Sequence, residues 1–171
     1  MSLPVQLISN FDYKQLFLPG LSKEVLFNNT ELQLYRIENY LRNIVIPVLP
    51  YKTTFSFMLF VTKGHITQQL GVSHFRLEAG SVLLIKQGRI TATLEISEDA
   101  EGFFLACENT LLEGVPLKVP PAFFNLTSPY IVLKGNFYAW LPKLFKLLED
   151  ELKCVEDGNI ETACMCFQGI L

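Results

Sequence analysis

Short apolar runs divided by turn-forming residues fill the chain from about residue 31 to 107, and this spacing constrains the fold more than any other feature. Each run is rich in Phe, Val, Ile, Thr and Leu, and glycine, proline or Asp/Asn signals separate it from the next. The predicted strands are ELQLYRIE, TFSFMLFVTKG, ITQQL, SHFRL, SVLLIK, RITATLEI and EGFFLACE. Because the connections are short and regular, we expect successive strands to pair as antiparallel neighbours in an all-β barrel or sandwich.

Two amphipathic helices are predicted to follow the strands. In the first helix, apolar residues recur at steps of four, three, four and three, which places them on one stripe. That stripe consists of Leu141, Phe145, Leu148, Leu152 and Val155. A second helix, which Asn159 can cap, has a similar stripe of Ile160, Cys164, Phe167 and Leu171. We predict a helical hairpin whose residues Leu141, Phe145, Leu148 and Leu152 form a dimer interface. The alternative is that both stripes pack on the barrel of the same subunit.

Composition and charge exclude several functional classes. The formal net charge is -3, the pI is near 5.4 and Lys and Arg are scattered, so we expect no nucleic-acid surface within the chain. The N-terminus lacks the pattern of a signal peptide, and no segment reaches the ~18 apolar residues of a membrane span. We therefore expect a cytoplasmic protein without membrane contact. In that compartment the cysteines, Cys107, Cys154, Cys164 and Cys166, should be reduced thiols.

A hairpin is predicted in the stretch GHITQQLGVSHFRLEAGS, which holds both histidines of the chain. Gly71 and Val72 fit a two-residue loop with glycine first. This loop pairs Leu70 with Ser73, Gln69 with His74 and His65 with Glu78. Because side chains alternate along a strand, one face carries Ile66, Gln68, Leu70, Ser73, Phe75 and Leu77. The opposite, entirely polar face carries His65, Thr67, Gln69, His74, Arg76 and Glu78. We expect the first face to point into the core.

A metal site in this stretch is the alternative to a plain hairpin, since neutral imidazole and carboxylate suit iron, manganese or nickel. On the predicted register His65 and His74 share the polar face but lie four residues apart, about 13 Å at ~3.3 Å per residue. One ion with ligand bonds near ~2 Å cannot bridge that gap. We therefore expect no metal ligand, no cofactor and no catalytic residue here, and at most a cross-strand ion pair between His65 and Glu78.

One part of the sequence resembles a known family. It reads FSFMLFVTKGHITQQLGVSHFRLEAGSVLLIKQG and is similar to the N-terminal cupin-like barrel of bacterial transcription regulators of the arabinose-operon-regulator (AraC) family. The matching pattern is an apolar strand that ends in Gly64, a hairpin, a short strand, and Gly80 followed by the apolar run from Val82 to Ile85. The family often has Pro-Gly-Asp where this chain has Ala79-Gly80-Ser81. The segments FFN and SPYIVLKG and the helices follow in the family's order, so the resemblance covers roughly residues 30 to 171.

This resemblance implies a mainly β fold, namely a cupin-like (jelly-roll) antiparallel barrel followed by a C-terminal α-helical hairpin. The expected parts are an N-terminal arm (1–30), the barrel (31–134) and a helical dimerisation and linker segment (135–171). The implied function is non-enzymatic: the barrel senses a small-molecule effector, the helices make a homodimer, and DNA binding resides in helix-turn-helix motifs beyond Leu171. Because no Gly, Pro or basic stop signal follows Leu171, we expect the sequence to be cut inside a longer protein.

The same resemblance suggests residues for a ligand pocket, since such regulators line the barrel with aromatic side chains and a few polar groups. The candidates are Arg36, Phe55, Phe57, Gln68, Phe75 and Trp140. The alternative for each of them is an ordinary core or surface position. Arg36 takes part if its strand turns Leu32, Leu34 and Arg36 inward, which is an assumption. In the N-terminal arm, we expect the aromatic residues either to cover the barrel or merely to pack against it; these residues are Phe11, Tyr13 and Phe17.

Two other functions stay open at this point. A metal-dependent cupin enzyme would carry an HxH pair and a following Glu aimed into the barrel, whereas this chain has His65 and His74 singly. An orphan cupin barrel would have no ligand. The metal content of the purified protein and its response to candidate ligands distinguish both from a sensor domain.

Overall fold

The computed structural model describes residues 5–18, 20–23, 31–40, 44–46, 48–114, 128–153 and 159–170. The strands in these ranges are β1 (Gln6–Ile8), β2 (Leu32–Arg36), β3 (Tyr51–Thr53), β4 (Ser56–Lys63), β5 (His65–Leu70), β6 (Ser73–Glu78), β7 (Ser81–Ile85), β8 (Thr91–Ile96), β9 (Glu101–Cys107) and β10 (Tyr130–Val132). The helices include α1 (Asn10–Phe17), α2 (Asn109–Gly114), α3 (Asn136–Lys153) and α4 (Asn159–Ile170).

The strands form two sheets of five strands each. Sheet A has the order β1-β3-β8-β5-β6, and sheet B has the order β10-β7-β4-β9-β2. Neighbouring strands are antiparallel, except that β1 runs parallel to β3. The predicted class, a mainly β, cupin-like jelly roll with C-terminal helices, is confirmed. The two sheets stack as a sandwich, however, and are not closed into a barrel.

The prediction that successive strands pair with each other is wrong for much of the chain. Strands β5 and β6 do form a hairpin, whereas β4 pairs with β7 and β9. The chain leaves sheet B after β4 and enters sheet A at β5, and Gly64 makes this corner with a φ of +66° that favours glycine. Short connections serve a crossing between stacked sheets as well as a turn within one sheet, so their length alone did not determine the neighbours.

Two hydrophobic cores lie on opposite faces of sheet B. The inner core lies between the two sheets; its residues include Phe57, Leu59 and Phe104 of sheet B and Ile66 and Leu77 of sheet A. The outer core lies between sheet B and the helices α3 and α4; its residues include Met58, Phe60, Phe103, Phe145 and Phe167. Consecutive residues of β4 and β9 enter different cores because side chains alternate along a strand. Sheet B is therefore buried on both faces.

The predicted dimer stripe on α3 belongs to the outer core. Leu141, Phe145 and Leu148 are buried against sheet B of the same chain, and Leu152 packs against this core. The prediction that these four residues form a dimer interface is corrected accordingly, because their own sheet covers them. Val155 and Leu171 lie outside the described residues. No helix in the described part of the chain is long and apolar enough to cross a membrane.

Buried thiols are present in the outer core, as expected of reduced cysteines. Cys107 and Cys166 are free and buried, and burial raises the pKa of the Cys107 thiol to about 12. A thiol with so high a pKa carries almost no nucleophilic thiolate at neutral pH. Cys154 lies outside the described residues.

Candidate ligand site between the sheets

The β5–β6 hairpin has the predicted register and the predicted faces. Its pairs include Leu70 with Ser73, Gln69 with His74 and His65 with Glu78. Ile66, Gln68 and Leu77 are buried on the inner side, and Thr67 and His74 lie on the outer side. The buried part of the hairpin's inner face therefore holds one amide, Gln68, among apolar side chains.

On the outer face, His65 contacts a different carboxylate from the predicted one. Its Nε2 lies 3.3 Å from Oε1 of Glu95 on β8, while Glu78 accepts a 2.6 Å bond from Nε of Arg76. His65 and Glu78 are cross-strand neighbours, but the ion pair predicted between them is wrong, because β8 flanks β5 on its other side and brings Glu95 to His65. The His65 imidazole and the Thr67 hydroxyl hold the pKa of the Glu95 carboxyl below its usual range. Among the described residues, no group of three or more His, Cys, Asp or Glu could hold a metal ion.

The predicted pocket residues do not all reach the space between the sheets. Phe55, Phe57 and Gln68 are buried there. Phe75 is half-buried and packs against the inner core. Trp140 is 46% exposed on α3, outside the sandwich, which corrects its assignment to the pocket. Its helix packs on the outer face of sheet B, so the Trp140 ring cannot line the inner core.

Arg36 faces the helices instead of the inner core. Its Nε and Nη2 donate to Oε1 and Oε2 of Glu149 on α3 at 3.0 and 2.7 Å, and its guanidinium carbon lies 4.1 Å from the ring centroid of Phe103. Hydrogen bonding to Arg36 lowers the pKa of Glu149. Leu32 lies in the outer core and Leu34 packs against it. The assumption that Leu32, Leu34 and Arg36 turn inward is wrong. They lie on the outer face of sheet B, which α3 and α4 cover, so apolar residues are buried on that face as well.

Uncharged polar side chains form a hydrogen-bonded polar chain in the inner core. Gln68 donates from Nε2 to the Thr91 hydroxyl at 2.6 Å and accepts at Oε1 from the Thr93 hydroxyl at 2.9 Å. The Tyr51 ring lies 6.1 Å from that of Tyr13 on α1, and the Tyr51 hydroxyl interacts with the side chains of Tyr13 and Thr93. Burial raises the pKa of both tyrosines above its ordinary value of 10.0, so both hydroxyls keep their protons. The polar chain, from Tyr13 to Thr91, is therefore neutral at physiological pH.

The ring of Tyr13 fills the space beside this polar chain. Tyr13 is 3% exposed, and its ring lies parallel to that of Phe104, with 5.0 Å between centroids and 8° between planes. Phe55 meets the Tyr13 ring edge-on at 5.6 Å, and Phe17 of the same helix lies 4.9 Å away. A residual cavity of ≈ 10 Å³ beside Tyr13 and Gln68 remains, which is at most the room of one water molecule. Tyr13 therefore inserts between the sheets, whereas the sequence suggested only that it covers the barrel or packs against it.

Local sequence explains how the arm reaches this position. Strand β1 adds to the edge of sheet A by pairing Gln6 with Tyr51 and Ile8 with Thr53. Helix α1 then begins with a capping box, in which the Ser9 hydroxyl accepts from the backbone N–H of Asp12 at 3.2 Å and the Asp12 carboxylate accepts from the Ser9 backbone N–H at 3.1 Å. The helix thus starts two residues after Ile8, which pairs with the last residue of β3, and Tyr13 points into the inner core.

Sequence reasoning missed three members of the polar chain, Tyr51, Thr91 and Thr93. The available signal was the spacing of Thr91 and Thr93, which places two hydroxyls on one face of a strand. That signal is weak because threonine is enriched in strands generally. For Tyr51 no signal distinguishes a hydrogen-bonding role from ordinary strand packing.

A second apolar row on α3 stays exposed. Phe137, Trp140 and Leu147 are 65%, 46% and 46% exposed, respectively. Beside them a groove of ≈ 430 Å³ runs between β10, α3 and the end of α4, with Val132 and Ile170 among its lining residues. Unlike the stripe at Leu141, this row has no cover from the described part of its own chain.

Comparison with known proteins gives structural matches only. No protein-family model and no curated protein matches the sequence. Apo ToxT from Vibrio cholerae is similar to 83% of this chain at 14% identity, with a TM-score of 0.46. The AraC-like transcriptional activator CuxR is similar to 68% of it at 12% identity, with a TM-score of 0.45. An RmlC-like cupin protein from Methanocaldococcus jannaschii is similar to 47% of this chain and 73% of its own length, at 20% identity and a TM-score of 0.36. The match spans 55% of ToxT and 42% of CuxR.

Proposed function

We propose that this chain is the effector-sensing and dimerisation part of a transcription regulator of the AraC type, and that it is not an enzyme. The observation that carries the proposal is the position of Tyr13, which a short N-terminal arm inserts between the sheets against the buried polar chain. A pocket that a segment of the chain can fill or vacate converts ligand binding into a change of that segment's position. The resemblance of residues 30 to 171 to such sensing domains supports the same function.

DNA binding in this proposal belongs to a further domain with helix-turn-helix motifs. The chain itself has a net charge of -3 and scattered Lys and Arg, so it offers none of the clustered positive charge that binds the phosphate backbone. The effector would change how the further domain meets DNA by shifting the population of two arrangements of the arm or the helices.

The test begins with thermal unfolding of the purified protein against uncharged sugars, phenols, fatty acids and divalent metals. A ligand present at a hundred times its dissociation constant should stabilise the protein by about 2.7 kcal/mol. The same ligand should then change the affinity of the full-length gene product for DNA upstream of its own gene, measured by electrophoretic mobility shift. A ligand that the protein converts chemically would favour the metal-dependent cupin enzyme. Absence of any ligand would favour the orphan barrel.

We also propose that a second copy of this chain docks on the exposed row of Phe137, Trp140 and Leu147. A second copy fits because Trp140 and Leu147 are seven residues apart on α3, the heptad spacing at which two identical helices pack along their length. Trp140→Glu and Leu147→Glu should each convert a dimer to a folded monomer in sedimentation velocity. Lys146→Glu, on the exposed polar side of α3, is the matched control and should stay dimeric. A wild-type protein that is monomeric at high micromolar concentration would contradict the proposal.

A further inference from the structure

We propose that the effector is a small uncharged aromatic molecule with a hydroxyl group, a phenol, and that Tyr13 of the N-terminal arm occupies its place until it binds. The inference rests on the proposed function of the inner core as an effector site. It follows from what surrounds the Tyr13 side chain, which is itself a phenol joined to the arm by one methylene.

The space around the Tyr13 ring has the shape of a flat aromatic molecule. Phe104 covers one face of the ring in parallel at 5.0 Å, and Phe55 meets it edge-on at 5.6 Å. Tilted rings of Tyr51 and Phe57 lie at 6.1 and 6.2 Å. Stacked and edge-on contacts are the favoured arrangements of aromatic pairs. A ligand without a flat ring would leave several of these contacts unmade.

The hydroxyl end of the space selects for a hydrogen-bonding ligand. The Tyr13 side chain interacts with Tyr51, and Tyr51 interacts with Thr93, whose hydroxyl donates to Oε1 of Gln68 at 2.9 Å. A ring without a hydroxyl would leave Tyr51 with one partner fewer in a buried place, and such a loss lowers affinity by roughly tenfold or more. The polar groups of this end are uncharged, so an ionised ligand would be desolvated without a counter-charge. Lys14 is also buried, but it lies on α1 and leaves with the arm.

The arm is built as a separable unit. Helix α1 is capped by its own residues, Ser9 and Asp12, so the cap moves with the helix. The arm is joined to sheet A by the three residue pairs of β1 with β3, at the edge of the sheet, and Ile8 and Leu18 on either side of α1 are buried in the inner core. Leu16 on the outer side of α1 is 55% exposed. Tyr13 therefore competes with a free phenol for one place. The apparent affinity of the phenol is its intrinsic affinity multiplied by the fraction of molecules in which Tyr13 has left this place.

The experiment measures binding of p-cresol, the free form of the tyrosine side chain, with toluene as the matched ligand that lacks the hydroxyl. Isothermal titration is run on wild type, on Tyr13→Ala and on the control Leu16→Ala. Tyr13→Ala should bind p-cresol at least tenfold more tightly than wild type and Leu16→Ala, and at least tenfold more tightly than it binds toluene. Adding Tyr51→Phe to Tyr13→Ala should remove most of the preference for p-cresol over toluene.

Hydrogen exchange supplies the readout for release of the arm. In wild type, p-cresol should speed amide exchange in residues 10–17, because the seated helix must leave. If Tyr13→Ala does not fold, Tyr13→Phe keeps the ring and loses the hydroxyl, and should bind p-cresol more tightly than wild type.

Equal affinity for toluene and p-cresol, or p-cresol binding without faster exchange of α1, would overturn the inference. A sugar or fatty acid as effector would also overturn it and leave the proposed function intact, whereas p-cresol binding without any effect on DNA affinity would count against the proposed function alone.

Discussion

Sheet A and sheet B differ in what covers their second face. The outer face of the sheet A hairpin meets water and carries His65, Thr67 and Arg76, whereas the corresponding face of sheet B meets α3 and α4. Alternation of polar and apolar residues therefore identifies the inner side of β5 and β6, as expected for an antiparallel sheet with one wet face. In sheet B the same alternation distinguishes two buried environments, and the polar side chains Gln33 and Tyr35 of β2 lie on the inner side.

The largest predicted effect compares the two cores of sheet B. Phe104→Ala empties a site in the inner core and Phe60→Ala one in the outer core, and both rings are fully buried. Each change should lower the free energy of unfolding by about 3–5 kcal/mol, since both create a cavity in a close-packed interior. Urea denaturation measures the two values. Thr67→Ala on the wet face of sheet A is the control and should change little. A small effect of Phe60→Ala would mean that the helices do not cover sheet B.

A smaller effect is predicted for the ion pair that ties sheet B to α3. Arg36→Met removes both hydrogen bonds to Glu149 and should cost about 1–2 kcal/mol at pH 7, less than a fully buried pair because both side chains are partly exposed. Arg89→Met, at an exposed turn position, is the matched control.

The contribution of this pair should depend on pH. Hydrogen bonding to Arg36 holds the pKa of Glu149 below its ordinary value of 4.5. The stabilisation is therefore complete above pH 4.5 and is lost as the pH falls through the lowered pKa of the folded state. The difference between wild type and Arg36→Met in urea denaturation should shrink between pH 5 and pH 3. A difference that stays constant over this range would indicate that Arg36 acts through its packing on Phe103 alone.

The smallest predicted effect lies on the wet face of sheet A. Arg76 pairs with Glu78 at 2.6 Å and with Glu95 at 3.5 Å, but all three side chains are more than half exposed. Exposed pairs are screened by salt and contribute little. Arg76→Ala should leave the urea midpoint unchanged within error at 0.15 M salt, although the contact with Glu78 is as short as those of Arg36 with Glu149. If Arg76→Ala lowers the free energy of unfolding as much as Arg36→Met does, burial does not explain the difference between the ion pairs of the two sheets.

The same difference between the sheets explains which parts of the fold the sequence predicts. The register of the β5–β6 hairpin, from His65 to Glu78, was predictable because Gly71 and Val72 define the loop and because only one face of the hairpin meets water. The direction of Arg36 did not, because its strand lies between two cores and the sequence does not say which core holds the helices. The continuous apolar runs in β4, β7 and β9 were the available signal, since strands buried on both faces lack alternation.

The candidate site was predictable in part for similar reasons. Phe55, Phe57 and Gln68 were expected at a pocket from the resemblance alone. Only Gln68 lies on a strand, β5, whose alternation identifies an inner face, whereas Phe55 precedes β4 and Phe57 belongs to this doubly buried strand. Trp140 was misplaced because a helix position says nothing about distance to a sheet. That Tyr13 is seated against Tyr51 depends on the parallel pairing of β1 with β3, a contact between residues about 45 apart in sequence that no local pattern encodes.

Phe103 and Phe104 are consecutive residues of β9 that point in opposite directions. Phe104 stacks on Tyr13 in the inner core, and Phe103 stacks on Phe145 of α3 at 4.8 Å in the outer core. One peptide unit therefore separates the arm from the helical layer. In the proposed mechanism, departure of the arm would remove the ring that stacks on Phe104, and the close packing of both cores would pass strain in β9 to α3 through Phe103. The shortest mechanical route from the arm to the helices is thus a single strand's thickness, and it needs no chain of intermediate loops.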